Sequence, residues 1–387
     1  MHPMSTTHAV EIHKGLEGIV ADSTALSLVD GEAGHLYYRG YTVEALAGKR
    51  FVEVAWLLLF GELPKAHELE EFEDFLWRAG QLPESLAANV RALARLGGHP
   101  MATLQAITPL LALEPPKINP GRTPHEKEGL VVAARVPAVI ATIHAERAGR
   151  EVIGYPWARR YAERYLYLLN NRAPTADEVR AFECMQILQL DHGFNASTFT
   201  ARVVSSTLGP PASALAAAMG ALYGALHGGA DQAALQMAID LDGPEAAAGF
   251  VATCLAERRK VMGMGHREYR LVDPRASVLK QMAGKVAVEP SLRRLYETLL
   301  AVEAAFVAQT SAKSRPLRAN MEFYKGIVCL GLGIPKELFT ATFAAARVFG
   351  WTAHIGEQRA DNRLIRPSAH YVGPPPRELE AASLKSA

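Results

Sequence analysis

The chain has 387 residues, of which 49% are apolar and 21% charged, with 41 Lys and Arg against 40 Asp and Glu for a formal net charge of +1. That length is enough for a large buried core in two or three domains of about 150 residues each. The composition excludes a disordered, collagen-like or disulfide-framed chain, and the charge balance leaves no field to attract nucleic acid or an anionic membrane.

The segment from Met1 to Lys14 lacks the apolar stretch of a secretory signal. Strand signals are confined to the region just after it, where Ala25 to Val29 and His35 to Arg39 flank Asp30-Gly31 and Gly34 and predict a small hairpin. Helical periodicity governs the rest. Leu86, Val90 and Leu93 share one face until Gly97-Gly98 stops it. Thr123-Pro124-His125-Glu126 is a capping box with proline at the first helical position, opening a helix that ends near Gly149. Its most apolar run, Leu130 to Ile143, is short for a membrane span and carries Arg135 and Pro137.

Arg159, Arg160 and Arg164 then interleave with Tyr161, Tyr165 and Tyr167, which we read as the exposed and buried faces of one helix rather than a nucleic-acid surface. Thr175 to Glu178 repeats the capping box before a helix through Phe182, Met185 and Leu188. Leu292, Leu295, Leu299, Val302 and Phe306 mark another helical stripe, and a last helix runs from Pro335 through Ala344 to Ala346 toward His354. Breaks rich in glycine and proline near 228–244, 263–274 and 331–335 are places where lobes can hinge. Cys184, Cys254 and Cys329 lie far apart without a CxxC pair and read as buried apolar residues of a reducing compartment. The expectation is a mainly α, soluble, cytoplasmic protein.

Three histidines stand beside glycines or helix ends: Asp191-His192-Gly193, Leu226-His227-Gly228-Gly229 and Gly263-Met264-Gly265-His266. Glycine lets backbone approach a ligand, and an adjacent imidazole can present a donor without steric cover. A single histidine is more often a structural, hydrogen-bonded residue; three in such settings shift the balance. None has an HxxxH or HExxH partner, so a zinc site is not expected. Gly263 and Gly265 lack the third glycine and preceding strand of a dinucleotide fingerprint, and no P-loop or GxSxG elbow occurs. Arg275 after Asp273-Pro274, Arg347 in the alanine-rich helix and Arg366 before Pro367 are guanidiniums that would suit a small di- or tricarboxylate if they converge.

These residues, taken with Gly15 to Val20, Tyr38 to Tyr41, Ala55 to Pro64, His99-Pro100-Met101 and Asn195 to Phe199, make the chain resemble the citrate synthase family over nearly its whole length. The resemblance implies a two-domain helical fold with a small N-terminal hairpin: a large domain of residues 1–227 and 334–387 and a small domain of 228–333 that closes over the substrates. It implies a homodimer, no metal or redox cofactor, and condensation of oxaloacetate with acetyl-CoA, or with propionyl-CoA as in 2-methylcitrate synthases, followed by hydrolysis that frees coenzyme A. On this resemblance His227, His266 and Glu322 would be catalytic, and His192, Arg275, Arg347 and Arg366 would hold oxaloacetate, with Arg366 reaching from a second subunit. Val261, Met262, Gly263, Met264, Gly265 and Arg270 would bind coenzyme A.

The chain departs from the family pattern near the chemistry. The usual Pro-Asn-Val-Asp-Phe-Tyr reads Ala319-Asn320-Met321-Glu322-Phe323-Tyr324, so the base is a glutamate. Its extra methylene displaces the oxygens by roughly 1 Å or more, an error that can cost about a hundredfold in rate. Gln189-Leu190 precedes Asp191-His192 in place of His-Ala, and Asp231 stands where asparagine is usual, a charge expected to raise the pKa of His227. A paralogue of weakened activity that binds dicarboxylate and coenzyme A in a regulatory role is the alternative.

Overall fold

The computed structural model describes residues 12–115, 123–152, 154, 160–266, 268–311 and 317–377. Both capping boxes form. Thr123 Oγ1 accepts from the Glu126 amide at 3.2 Å while the Glu126 carboxylate accepts from the Thr123 amide at 2.8 Å, starting the helix Pro124–Arg147. Thr175 and Glu178 make the same exchange at 3.2 and 2.7 Å to start Ala176–Gln189. Such reciprocal caps satisfy amides that a helix start leaves without intrahelical partners.

Pro124–Arg147 is apolar nearly all round because it runs through the core, where Leu130, Val131, Val136, Ile140 and Ile143 are fully buried. By length and a mean hydropathy of 1.4 it matches a membrane-crossing segment, yet 83% of that stretch is covered by the protein itself. The buried Arg135 is held by carbonyls: it donates to Ala79 at 3.2 Å, to Leu111 and Glu114 at 2.7 Å each, and to Leu113. Arg164 works in the same way, donating to Leu76 at 2.9 Å, Trp77 at 3.0 Å and Ala134 at 3.1 Å. The two guanidiniums thus occupy the C-terminal end of Ala66–Ala79, where carbonyls lack helical partners and the helix dipole favours a cation. Arg164 therefore does not lie on the exposed face expected of its cluster. Tyr161 and Tyr165 are buried as expected, Arg160 is exposed, and Arg159 lies outside the described residues. The three cysteines are buried and unpaired.

The hairpin pairs Ser27–Asp30 with His35–Tyr38 in antiparallel register, Ser27 opposite Tyr38 and Asp30 opposite His35. A third short strand, Tyr41–Thr42, adds to it beyond the sequence expectation. The buried Tyr38 reaches from this sheet to the end of Ala176–Gln189, its hydroxyl 3.0 Å from the carbonyls of both Ile187 and Asp191. Tyr38→Phe strands those buried groups and is expected to lower stability by about 1–2 kcal/mol, read from urea unfolding; an unchanged midpoint would remove this tether from the fold.

The last long helix, Phe339–Ala360, is buried along most of its length and follows a 3₁₀ turn at Lys336–Leu338. Its small residues Ala344, Ala345, Ala346 and Gly350 let neighbouring backbone press close; at Gly350 a side chain would collide with the Leu190 carbonyl. The chain divides into two compact units, Thr24–Leu364 and a smaller one of Met1–Ser23 with Ile365–Ala387. The boundaries at 228 and 333 expected from the resemblance fall inside the Thr24–Leu364 unit.

Candidate active site

His192 follows the C-cap of Ala176–Gln189, and Asp191 before it fixes the turn. The Asp191 carboxylate accepts from His354 Nε2 at 3.1 Å, from the Gly193 amide at 3.2 Å and from Ser27 Oγ. Burial opposes its charge, but His354 and Arg347 outweigh burial and hold it below the usual carboxylate range. His354 in turn has Nδ1 3.3 Å from Arg202 Nη1, so hydrogen on Nε2 satisfies both of its contacts. With the peptide pinned on both sides, the His192 ring packs against His266 at 5.3 Å between centroids, its Nε2 3.2 Å from the Tyr269 hydroxyl.

His266 Nδ1 accepts from the amides of Glu268 at 3.1 Å and Tyr269 at 3.2 Å, which puts the hydrogen of the neutral ring on Nε2. That nitrogen lies 3.4 Å from Arg275 Nη2. Two donors so placed cannot bond each other and both aim at an acceptor supplied from outside. Burial and then Arg275 lower the His266 pKa to about 4, and burial with Arg275, His266 and Arg347 drives His192 well below its ordinary value.

His227 sits in the turn after Pro211–Tyr223, its Nε2 2.8 Å from Ser197 Oγ. That hydroxyl accepts from Trp351 Nε1 at 3.2 Å and can give its one proton either to His227 or to Asn195 Oδ1, also at 2.8 Å. Donation to His227 leaves Nδ1–H as the free donor of the ring. Burial and then Arg347 lower the His227 pKa to about 4. The expectation that Asp231 would raise it is overturned: Asp231 is spent on a buried ion pair with Lys325 at 2.7 Å.

His227 and His266 imply a definite pH response. Unfolded imidazoles take protons below about pH 6.5, the folded ones only below about pH 4, so the unfolded state binds more protons in between and stability falls as pH drops through that window. His266→Asn is expected to flatten the fall in melting temperature between those pH values; an unaltered slope would contradict the neutral assignment.

Glu322 is at the start of Met321–Gly331, capped by Asn320, whose Oδ1 accepts from the Glu322 amide at 3.1 Å. Asn320 also stitches the His266 loop in place: its amide donates to the Gly263 carbonyl and its Nδ2 to the Gly265 carbonyl, both at 2.9 Å. Gly263 has φ +78°, and a Cβ there would meet Phe323 at 2.7 Å, so only glycine permits the loop to lie this close. Asp273 makes the second tie. It accepts from the Arg275 amide, Nε and Nη2 at 3.1, 2.9 and 2.8 Å, and from the Met321 amide at 3.1 Å, joining the starts of Pro274–Val286 and Met321–Gly331. Burial raises the Glu322 pKa, which Arg275 counteracts and Asp273 reinforces.

Arg347 donates from Nε to the Gln189 carbonyl at 2.6 Å and lies over the Phe343 ring at 4.8 Å. It is fully buried, and Arg275 and Glu322 both act on it. Two buried guanidiniums within reach of one another, near imidazoles whose charged form burial disfavours, have the chemistry that suits a small anion. The structure puts His266 in contact with both His192 and Arg275, and Arg347 near enough to act on His192, His227, Arg275 and Glu322. Arg366 is exposed and belongs to the smaller unit. Val261 is buried while Met262 is partly exposed at the tip of the loop. Arg270 is exposed and paired with Glu32 at 2.5 Å.

Sequence reasoning missed the supporting residues Ser197, Tyr269, Trp351 and His354. Only Ser197, inside an Asn-x-x-Thr helix cap, had a local signal. Large cavities lie away from these residues, with spaces of about 1090 and 980 Å³ beside Trp77 and Arg164 and beside Cys184 and Leu292, and a small hollow adjoins His266. Among the described residues no cluster of three or more His, Cys, Asp and Glu side chains is arranged around a metal position.

Residues 15–368 match the family described as citrate synthase, C-terminal domain. The chain is 36% identical to a citrate synthase of Deinococcus radiodurans, over 94% of this chain and 96% of that one. It is 35% identical to a 2-methylcitrate synthase of Shewanella oneidensis, over 94% and 96%. Its fold superimposes on a citrate synthase of Thermoplasma acidophilum in ternary complex with carboxymethyl coenzyme A and oxaloacetate, with a TM-score of 0.87 and 31% identity, covering 96% of this chain and 99% of that one.

Proposed function

The chain belongs to the citrate synthase family, and from that membership we propose that it condenses oxaloacetate with a short acyl-CoA, acetyl-CoA or propionyl-CoA, and hydrolyses the product to the tricarboxylate and free coenzyme A. The observation that carries this reading is the contact of His266 with both His192 and Arg275, with Arg347 near enough to act on His192, His227 and Glu322.

A thioester methyl is a very weak acid, so a base and a carbonyl-side donor must act together. Glu322 takes the methyl proton while the ring N–H of His227 stabilises the charge growing on the thioester oxygen. Ser197 supports that role when its proton goes to Nε2. The converging donors of His266 and Arg275 suit the ketone and adjoining carboxylate of oxaloacetate, polarising the carbon that the enolate attacks. Arg347 and His192 complete the cradle. A water then cleaves the thioester, with coenzyme A as leaving group. The loop Val261 to Gly265, with Arg270, is assigned to coenzyme A, and no metal or redox group enters any step.

We further propose a cytoplasmic homodimer with residues 228–333 as the closing domain and the partner subunit supplying its own copy of the C-terminal segment that carries Arg366. Closure would exclude water while the enolate exists.

Release of coenzyme A thiol with oxaloacetate and each thioester in turn tests the reaction and ranks the acyl donors. Thiol release at background with both would overturn it. Oxaloacetate binding by calorimetry without turnover would instead favour the regulatory paralogue, and a gain of turnover in Glu322→Asp would trace the loss to the longer side chain.

A further inference from the structure

Lys325 and Asp231 form an ion pair at 2.7 Å with side chains 0% and 1% exposed. A pair this deeply buried is weak evidence for stability, because stripping water from both ions costs about as much as their attraction returns. Its position is more informative. Asp231 stands in the first turn of Ala230–Leu241, four residues after His227, and Lys325 in the first turns of Met321–Gly331, three residues after Glu322. The pair therefore bolts together the two helix starts that present the donor and the base. Residues three apart on a helix are neighbours, so Lys325 shares a helix face with Glu322. The Asp231 Oδ1 is fixed by the Gln232 amide at 2.7 Å, and the ammonium rests 4.5 Å from the centre of the Phe343 ring.

The charged groups that act on Glu322 are Arg275 and its partner Asp273 from Pro274–Val286 and its cap, Arg347 from Phe339–Ala360 and Lys325 from its own helix; the other helices packed on Met321–Gly331 bring Asp231, paired with Lys325, and Glu303, paired with Lys280 and bonded by the Tyr324 hydroxyl. Arg275 is already neutralised by Asp273, and substrate carboxylates would neutralise both arginines. Lys325 is likewise paired, with Asp231, but it stands on the helix of Glu322 while its counter-ion stands on Ala230–Leu241.

We propose that Lys325, three residues along the helix from Glu322 and anchored by Asp231, is a positioning residue whose charge keeps that carboxylate ready to accept a proton. This rests on Glu322 being the base. Burial raises the Glu322 pKa and Lys325 is among the groups that lower it, whereas Asp231 is not among its principal influences.

The test uses the neutral pair variants D231N/K325M and D231N/K325Q, which remove both charges and leave neither partner stranded. Infrared difference spectra against E322Q in each background read the ionisation of this one carboxyl without turnover. The expected result is a Glu322 midpoint about one pH unit higher than in the wild type, with K325R holding the wild-type midpoint. In turnover the acid limb of kcat should move upward by the same interval while KM for oxaloacetate stays put. Unmoved midpoints would overturn the proposal, and so would failure of both pair variants to fold, which would make the pair an element of the core. Absence of wild-type turnover would instead count against the condensation reading alone, since the spectral midpoint still decides this one.

Discussion

Glu322→Gln is expected to lower kcat by about a thousandfold, within the 10²–10⁴ range of a positioned general base, while oxaloacetate still binds. The amide keeps the shape of the side chain and its place at the start of Met321–Gly331, where Asn320 and Asp273 hold the backbone through the amides of Glu322 and Met321. Only the capacity to take a proton is lost. The arginine cradle is untouched, so the loss should appear in kcat and not in the affinity for the keto acid, measured by thiol release beside calorimetry. A variant of undiminished rate would take Glu322 out of the reaction.

Arg275→Met is expected to abolish the stabilisation that oxaloacetate confers and also to destabilise the protein by about 3–5 kcal/mol. Both follow from one geometry. The guanidinium gives Nε and Nη2 to Asp273 at 2.9 and 2.8 Å, and Asp273 is 1% exposed, so removing the cation strands a buried carboxylate. Nη2 also lies 3.4 Å from His266 Nε2, where the proposed oxaloacetate oxygens would sit. Asp273→Asn in the same chain removes the stranded charge, and the double variant should regain part of the lost stability without regaining the ligand response. Thermal unfolding with and without oxaloacetate separates the two effects. If Arg275→Met keeps a ligand-dependent rise in melting temperature, the substrate carboxylate is held elsewhere.

The departures from the family pattern thus have different weights. Asp231 read as a threat to the neutral state of His227, but its charge is consumed by a lysine on a neighbouring helix, and the imidazole stays neutral under burial and Arg347. Glu322 remains the consequential change, since its reach and its raised pKa both bear on how well it can serve as a base.

The sequence by itself determined where helices begin, which histidines stand beside glycine and which arginines are available, because caps and turns are interactions between residues two to four apart. Thr123 with Glu126, Thr175 with Glu178 and Asn320 with Glu322 are of this kind. The partners of charges were decided only by the tertiary structure. Arg164 and Arg135 could not be seen to enter the core, because their acceptors are carbonyls exposed by the ends of other helices. Lys325 gave no hint of Asp231, nor Ser197 of His227 and Trp351, since contacts between distant segments leave no period in the chain. Packing brought these groups together, and the low dielectric it created turned ordinary imidazoles into neutral donors and an ordinary glutamate into a weaker acid.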